Sequence, residues 1–332
     1  MKPRLILHIG ASKAGSSAIQ GFLKDNSQTL AKAGVIVPSD KLDLTSEITG
    51  EQIWFLEQAI SKDIKEGTDI VTRRMLRLLE ESTQEDKPLT IIVSAENMSN
   101  SQGHQWLFAK LRDKFEIKVL IYIRRQDDFL MSSWQQWYLK TSPDFWAWLV
   151  ENVGTKGNWF DNLEVWRDIY GVENMDVRIF ERSKLIGQDL ITDFCQAIDV
   201  KTEGLLLDVG TRNPSHSVAV QEIAHAANNL FTDIHDNEFY QMVTELTGAS
   251  FHKKNGQTFL NKRQRVAIMG KYFTSNQNVI KTYFPDMNPN EPLFAPIAGS
   301  SEVIGEHELE RQKMAILTTM VYALYKRQKQ NK

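Results

Sequence analysis

Five short apolar runs, each followed by a segment with helical spacing, constrain what this chain can fold into more than any other feature. The runs are four to six residues long and occupy residues 5–9, 35–38, 90–94, 118–123 and 175–180. Apolar runs of this length suit buried strands. Because strands that alternate with helices pair in parallel, we expect an α/β fold with a central parallel sheet of about five strands between two helical layers.

Helical spacing fills the segments between these runs and dominates the chain after residue 200. The earlier helical segments are 16–30, 52–81, 106–115 and 126–139. The later ones are 216–231, 237–247, 262–274 and 307–325. No linker-like stretch separates the two parts of the 332-residue chain. We therefore expect a single domain over residues 1–332, with an α/β core at 1–200 and a mainly helical extension at 201–332 that is not independent.

Charge and cysteine content exclude several classes of function. Lys plus Arg number 39 and Asp plus Glu number 42, which gives a net charge of -3. The chain therefore lacks the excess of basic residues that is typical of a nucleic-acid-binding protein. The one cysteine, Cys195, permits no intrachain disulfide and no cysteine-rich metal site. No run reaches the roughly 18 apolar residues of a membrane span. We expect a cytoplasmic protein without stable membrane insertion or a metal, and no heptad run indicates its oligomeric state.

The first chemically informative segment is the glycine-rich turn between the first strand and the first helix. It contains Gly10, Lys13, Gly15, Ser16 and Ser17. Such a turn presents backbone N–H groups and the positive end of the helix dipole. Two hydroxyl groups and one ammonium group add donors, which suits a phosphate or a similar oxyanion. The alternative is a turn with no ligand.

This turn departs from the P-loop of nucleoside triphosphatases. Its glycines, Gly10 and Gly15, match the G-x-x-x-x-G-K-[ST] pattern, but Ser16 stands where that pattern has lysine. The lysine of the turn, Lys13, lies between the glycines instead. Neither of the later strands ends in the aspartate that would organise Mg²⁺. We therefore expect an anion cradle on a P-loop-like fold without the usual Mg-nucleotide apparatus.

Two arginines, Arg124 and Arg125, follow the fourth apolar run. They lie at the carboxyl edge where open α/β sheets bind ligands, and guanidinium groups bind phosphate oxygens through paired hydrogen bonds. Ser132 follows Arg124 by eight positions, which is about two helical turns. The alternative is an exposed arginine pair neutralised by Asp127 and Asp128. The residues alone thus indicate a phosphate-like donor held by a loop and an arginine pair.

Together these segments resemble the two signatures of the sulfotransferase superfamily. The first signature, a lysine, a small residue, a glycine and two hydroxyl residues, corresponds to residues 13–17. In that superfamily it binds the 5′-phosphosulfate of 3′-phosphoadenosine 5′-phosphosulfate (PAPS). The second signature, an arginine after a strand and a serine eight residues on, corresponds to Arg124 and Ser132. In that superfamily it binds the 3′-phosphate of the same nucleotide.

A narrower resemblance is to bacterial sulfotransferase-like proteins of glycan and polysaccharide biosynthesis. It rests on residues 8–10, 122–127 and 180–182, whereas Ala14 departs from it because this group usually has threonine there. The resemblance implies PAPS as donor, 3′-phosphoadenosine 5′-phosphate (PAP) as product, no required metal, and a carbohydrate or glycan-precursor acceptor. It also implies that Arg212, in a late turn, closes over the nucleotide; a solvated loop arginine is the alternative.

The resemblance implies in-line transfer of a sulfuryl group to an acceptor hydroxyl or amine. Lys13 would contact the leaving phosphate and the bridging oxygen. Glu96 follows the third strand at the same sheet edge and would act as the general base. Because cytosolic members of the superfamily use histidine, His8 and His104 are competing candidates. We expect His8, inside a strand, to be structural and His104, in a loop, to lie at the surface.

Two other functions would also use an anion-binding turn. One is an ATP-dependent P-loop-type kinase, and the other is a catalytically inert nucleotide-binding protein. A separate question is whether any tryptophan lies in a glycan groove, since indole faces stack on sugar rings. We expect most tryptophans in the core, and Trp159, beside a glycine and an asparagine, as the best candidate for an exposed one.

Overall fold

The computed structural model describes residues 2–61, 63–82, 89–96, 98–100, 103–141, 144–208, 216–248, 257–297 and 302–330. The chain divides into two compact units. Unit 1 comprises Met1–Arg125, Asn158–Arg212 and Thr274–Phe294. Unit 2 comprises Gln126–Gly157, Asn213–Phe273 and Ala295–Lys332. The chain thus passes repeatedly from one unit to the other, and the single domain with a boundary near residue 200 stays a prediction.

Unit 1 is built on a parallel sheet. Its strands are β1 (Arg4–His8), β2 (Val35–Ile36), β3 (Thr90–Ser94), β4 (Glu116–Ile123) and β5 (Met175–Ile179). The strand order is β2-β3-β1-β4-β5, and every neighbouring pair is parallel. All residues of β3 are buried, as expected for a strand covered on both faces. The predicted α/β fold with five parallel strands and flanking helices is confirmed.

The described helices overlap all but one of the predicted segments, and four of them, at 145–152, 159–170, 190–197 and 273–283, have no predicted counterpart. The helices are α1 (Ser16–Lys32), α2 (Ile53–Ile60), α3 (Ile64–Ser82), α4 (Gln126–Gln136), α5 (Phe145–Asn152), α6 (Trp159–Tyr170), α7 (Leu190–Ala197), α8 (Val218–Ala226), α9 (Glu238–Thr247), α10 (Lys262–Lys271), α11 (Phe273–Tyr283) and α12 (Glu306–Gln330). Two short strands of unit 2, β6 (Gln257–Thr258) and β7 (Glu302–Val303), pair in parallel. The predicted helical character of the later part is confirmed. None of the helices in the described residues combines the length and the apolar content of a membrane span.

The predicted helix at 106–115 is wrong. This segment forms two 3-10 turns, His104–Trp106 and Ala109–Leu111, before β4 begins. Leu107, Phe108, Leu111 and Phe115 are nevertheless buried, whereas Trp106 is exposed. Consecutive tight turns bury one side of a segment as a helix does, so the apolar spacing does not distinguish the two.

A buried ion network ties three elements of unit 2 together. Arg265 of α10 donates from Nη1 to Asp127 Oδ2 at 2.7 Å and to Asp128 Oδ1 at 2.8 Å, both in the first turn of α4. Its Nη2 donates to Thr258 Oγ1 of β6 at 3.0 Å. Asp127 is fully buried, and Arg265 is only 5% exposed. Asp127 and Asp128 are the acidic residues that the alternative interpretation of the sequence pairs with Arg124 and Arg125. In the structure both accept hydrogen bonds from Arg265.

Replacing Arg265 should destabilise the protein strongly. Arg265→Met removes the guanidinium group that bonds the buried Asp127 carboxylate, and the loss of one member of a buried ion pair costs about 3–5 kcal/mol. We expect urea denaturation of the full chain to show this loss in the free energy of unfolding. Adding Asp127→Asn should recover part of this loss, because the buried side chain then carries no charge.

The exposed Arg263 of the same helix supplies the matched control. Arg263→Met should change the free energy of unfolding by less than about 0.5 kcal/mol. Equal losses for the two arginine variants would show that the buried network does not stabilise unit 2.

Candidate active site

The carboxyl ends of the three central strands are aligned in unit 1. His8, the last residue of β1, is in register with Ser94 of β3 and Leu120 of β4. Beyond the strands the pairing continues, since Ile9 N–H donates to the Leu120 carbonyl at 3.0 Å. The chain segments that carry Lys13, Glu96 and Arg124 therefore start from one edge of the sheet, as the sequence predicts.

The turn after β1 has two residues with positive φ and leads directly into α1. Gly15 has φ 90° and directly precedes α1, whose N-terminus has no side-chain cap. Lys13 also has a positive φ, 64°, which is uncommon for a residue with a Cβ atom. Uncapped N–H groups at a helix N-terminus attract anions. The turn thus brings Lys13 and the first turn of α1 to the sheet edge at which β1 ends.

Two glycines of this turn have no room for a side chain. A Cβ atom at Gly10 would lie 2.6 Å from Ser16 Oγ and 3.4 Å from Glu96 Cα. A Cβ atom at Gly15 would lie 2.3 Å from Leu190 Cδ2. The predicted cradle residues are therefore tightly packed, and Ser16 Oγ itself donates to the Ala11 carbonyl at 3.2 Å.

Arg124 connects the two predicted anion-binding segments. Its Nη1 donates to the backbone carbonyl of Lys13 at 2.7 Å. Its guanidinium carbon lies 6.0 Å from the centre of the Phe180 ring, within cation–π range. Its own carbonyl accepts a hydrogen bond from Trp159 Nε1 at 2.7 Å. Two segments more than a hundred residues apart are therefore held together as the sequence predicts.

Trp159 does not lie at the surface, and its predicted exposure is wrong. The side chain is fully buried at the start of α6. Its indole N–H satisfies the Arg124 carbonyl, which lies just past the end of β4 and needs a donor there. Trp159 is thus a structural support of Arg124 and has no exposed face for a sugar ring.

Glu96 lies half-buried beside the turn, with its Cα against Gly10. Burial raises the pKa of its carboxyl group above the usual glutamate value. The Lys13 ammonium group opposes this rise, and the Glu51 carboxylate adds to it. Lys13 and Glu96, predicted from separate segments, are therefore within electrostatic reach of one another. A carboxyl group with a raised pKa suits proton transfer.

Glu51 is a member of this cluster that the sequence analysis missed. Burial raises the pKa of its carboxyl group, and a hydrogen bond from the Glu96 backbone N–H opposes the rise. The neighbouring Gln52 fixes its position. Gln52 N–H donates to the Ser94 carbonyl at 3.0 Å, and Gln52 Oε1 accepts from Ser94 N–H at 2.9 Å. This pairing to the end of β3 places Glu51 next to Glu96.

The two histidines that compete for the role of base are both buried. His8 Nδ1 hydrogen-bonds to Ser94 Oγ at 2.8 Å, and burial lowers its pKa to about 4. Its predicted structural role agrees with this position. His104 is 1% exposed, so its predicted surface position is wrong. Its Nε2 lies 3.6 Å from a Glu57 carboxylate oxygen, beneath α2.

The remaining predicted site residues are placed as follows. Ala14 is buried in the turn, and Ser17 is half-buried in the first turn of α1. Ser132 is half-buried on α4 of unit 2. Arg212 lies outside the described residues. In the described part of the chain, no three His, Cys, Asp or Glu side chains cluster in a way that could hold a metal ion.

Comparison with known proteins gives structural similarities but no match in sequence. No sequence profile of a known protein family matches the chain, and no curated protein matches it. A solved sulfotransferase from Alicyclobacillus acidocaldarius is similar in fold, with 16% sequence identity and a TM-score of 0.37. The similarity covers 64% of this chain and 87% of that one. Values this low do not establish a shared function.

The close packing at Gly15 gives a test of the turn. Gly15→Ala adds a methyl group where Leu190 lies and places alanine in the left-handed region, which alone costs about 1–2 kcal/mol. We expect the loss in unfolding free energy to exceed that value by about 1–3 kcal/mol, since overpacking adds to it. Urea denaturation measures this loss.

Gly154 is the matched control, because it has the same φ of 90° and no atom within 4 Å of an added Cβ. Gly154→Ala should show only the backbone cost of about 1–2 kcal/mol. If both alanine variants lose the same stability, the tight packing around Gly15 is not significant.

Proposed function

We propose that this protein is a sulfotransferase that transfers a sulfuryl group from PAPS to a hydroxyl or amine of a carbohydrate or glycan precursor. The observation that carries the proposal is the hydrogen bond from Arg124 to the Lys13 carbonyl. It joins two basic segments at the uncapped N-terminus of α1. Two cationic groups at one helix N-terminus suit a nucleotide with two separate phosphate groups.

The proposed donor contacts combine this geometry with the sequence resemblance. The backbone of Gly15 and the first turn of α1 would hold the 5′-phosphosulfate, with Ser17 as a hydroxyl donor. Ser16 would join it by turning its hydroxyl away from the Ala11 carbonyl, to which it donates here. Lys13 would contact the leaving phosphate. The assignment of Ser132 and Arg212 to the 3′-phosphate and the nucleotide rests on the sequence resemblance. Ala14 contributes no hydroxyl group, so the cradle depends on its backbone and on the two serines.

The proposed reaction needs two functions from the chain. Glu96 accepts the proton of the acceptor hydroxyl as that oxygen bonds to sulfur. Lys13 stabilises the leaving phosphate as the bond from sulfur to the bridging oxygen breaks and its electron pair passes to PAP. Positioned charges of this kind account for most of the rate in related phosphoryl transfers. The raised pKa of Glu96 makes its carboxylate a stronger base than an exposed glutamate.

The donor class is tested by calorimetric titration with PAP and with AMP, which lacks the 3′-phosphate. We expect a clear preference for PAP. Arg124→Ala should weaken PAP binding by about 10- to 100-fold, because a hydrogen bond to a charged group contributes roughly 1.5–3 kcal/mol. AMP binding should change much less.

The exposed Arg77 of α3, which pairs with Glu81, gives the control. Arg77→Ala should bind PAP as the unmodified chain does. Equal affinity for PAP and AMP, or tighter binding of ATP than of PAP, would contradict the proposed donor. The second result would favour the kinase.

The pH dependence of turnover tests the roles of the two carboxylates. The assay is PAPS-dependent turnover with the acceptor that a carbohydrate panel identifies. Since the base must be deprotonated, kcat should fall on the acid side of a pKa above the usual glutamate value. Glu96→Gln should lower kcat about 100- to 10,000-fold and remove this acid limb. Glu51→Gln should move the limb to lower pH, because the like charge that raises the Glu96 pKa is gone.

Glu47, exposed in the segment before Glu51, supplies the control variant. Glu47→Gln should leave both kcat and the acid limb unchanged. A Glu96→Gln enzyme with most of its kcat would remove Glu96 from the mechanism. An acid limb that Glu51→Gln does not move would separate Glu51 from it.

A further inference from the structure

Helix α12 carries apolar side chains on two sides. Its inner side packs on α8 and α9 within unit 2, with Ile316 and Met320 buried. The second set is Met314, Leu317, Val321 and Leu324, which are 60%, 40%, 67% and 51% exposed. The packing of α12 on α8 and α9 therefore leaves these four apolar side chains exposed to solvent.

The exposed set forms one continuous stripe. Its members follow one another at intervals of three, four and three residues. This is the a and d spacing that lines the seam of a coiled coil. Burying these side chains against a partner removes apolar surface from water, which favours association. A stripe with this spacing on a helix that is already packed on its other side marks an interaction surface.

We propose that α12 pairs with α12 of a second copy of this chain, in antiparallel orientation. The stripe is symmetric about the level of Thr319, because Leu317 and Val321 are each two residues away and Met314 and Leu324 each five. A two-fold axis at this level sets Leu317 of one copy against Val321 of the other, and Met314 against Leu324. The same surface on both copies then closes the assembly as a dimer.

Charge favours this occupant and this orientation. The first turn of α12 contains Glu306 and Glu308, and its last turn contains Arg327 and Lys329. Antiparallel pairing places the acidic start of one helix beside the basic end of the other, whereas parallel pairing sets like charges together. An anionic membrane would attract the basic end but repel the acidic start. A second copy complements the charge at both ends, in addition to the ion pairs that Arg311 forms with Glu308 and Arg327 with Glu245 within the chain.

The first experiment measures the mass of the full chain by sedimentation velocity and light scattering. We expect twice the chain mass, and the chain mass alone for Val321→Glu, which puts a carboxylate in the seam. Val150→Glu is the matched control, since Val150 lies on α5 and is 75% exposed. It should leave the dimer intact. Circular dichroism checks that both variants are folded.

The second experiment tests the orientation by oxidative cross-linking. In the antiparallel pair Met314 faces Leu324 of the other copy, whereas like positions lie about 15 Å apart along the axis, at 1.5 Å per residue. That distance is too long for a disulfide. A chain with both Met314→Cys and Leu324→Cys should form covalent dimers, and each single variant should not. The native Cys195 is buried and does not interfere.

Three results would overturn the proposal. A monomer that stays monomeric over the accessible concentration range would exclude the second copy. Covalent dimers from each single cysteine variant would show parallel pairing. A monomer that sediments with vesicles of anionic phospholipid, and loses this property with Val321→Glu, would make the stripe a membrane contact.

Discussion

The hydrogen bonds that join β1 to β3 and β4 set the position of every group in the candidate site of unit 1. Neighbouring strands lie about 4.8 Å apart, so the segments that leave these three strands begin within about 10 Å of one another. The register fixes which residues these are, because His8 is level with Ser94 and Leu120. A shift of β1 by one residue would turn its side chains to the opposite face and separate Lys13 from its partners.

Charge in the site is balanced by neighbours from different elements. Glu96 and Glu51 both lie where burial raises the pKa of a carboxyl group, and Lys13 opposes this rise at Glu96. Under the proposed function, an anionic donor beside Glu96 would raise its pKa further. The uncapped N-terminus of α1 and the Arg124 guanidinium group would limit this rise in the Glu96 pKa. Both would offset the negative charge of the donor and so weaken its repulsion of the Glu96 carboxylate.

Local patterns predicted the strands and the turn, and distant contacts decided the rest. The apolar runs and the glycine positions follow from backbone geometry, which each short segment sets for itself. Glu51 has no local signal, because the bonds of Gln52 to Ser94, 42 residues further on, place it. Trp159 follows an asparagine and a glycine, as a loop residue would, yet its indole reaches the Arg124 carbonyl. The buried His104 likewise depends on the packing of α2 above it.

Helix α12 shows why an apolar pattern does not by itself reveal a partner. Ile316 and Met320 follow a four-residue interval, and so do Leu317 and Val321, one position further along. In the sequence the two sets merge into one broad apolar segment, and the a and d spacing of the second set does not stand out from it. Packing against α8 and α9 buries the first set and leaves the second in solvent. The exposed stripe can be distinguished only when the structure shows which side of α12 packs on α8 and α9, because the same helix contributes to the core of unit 2 and to its surface.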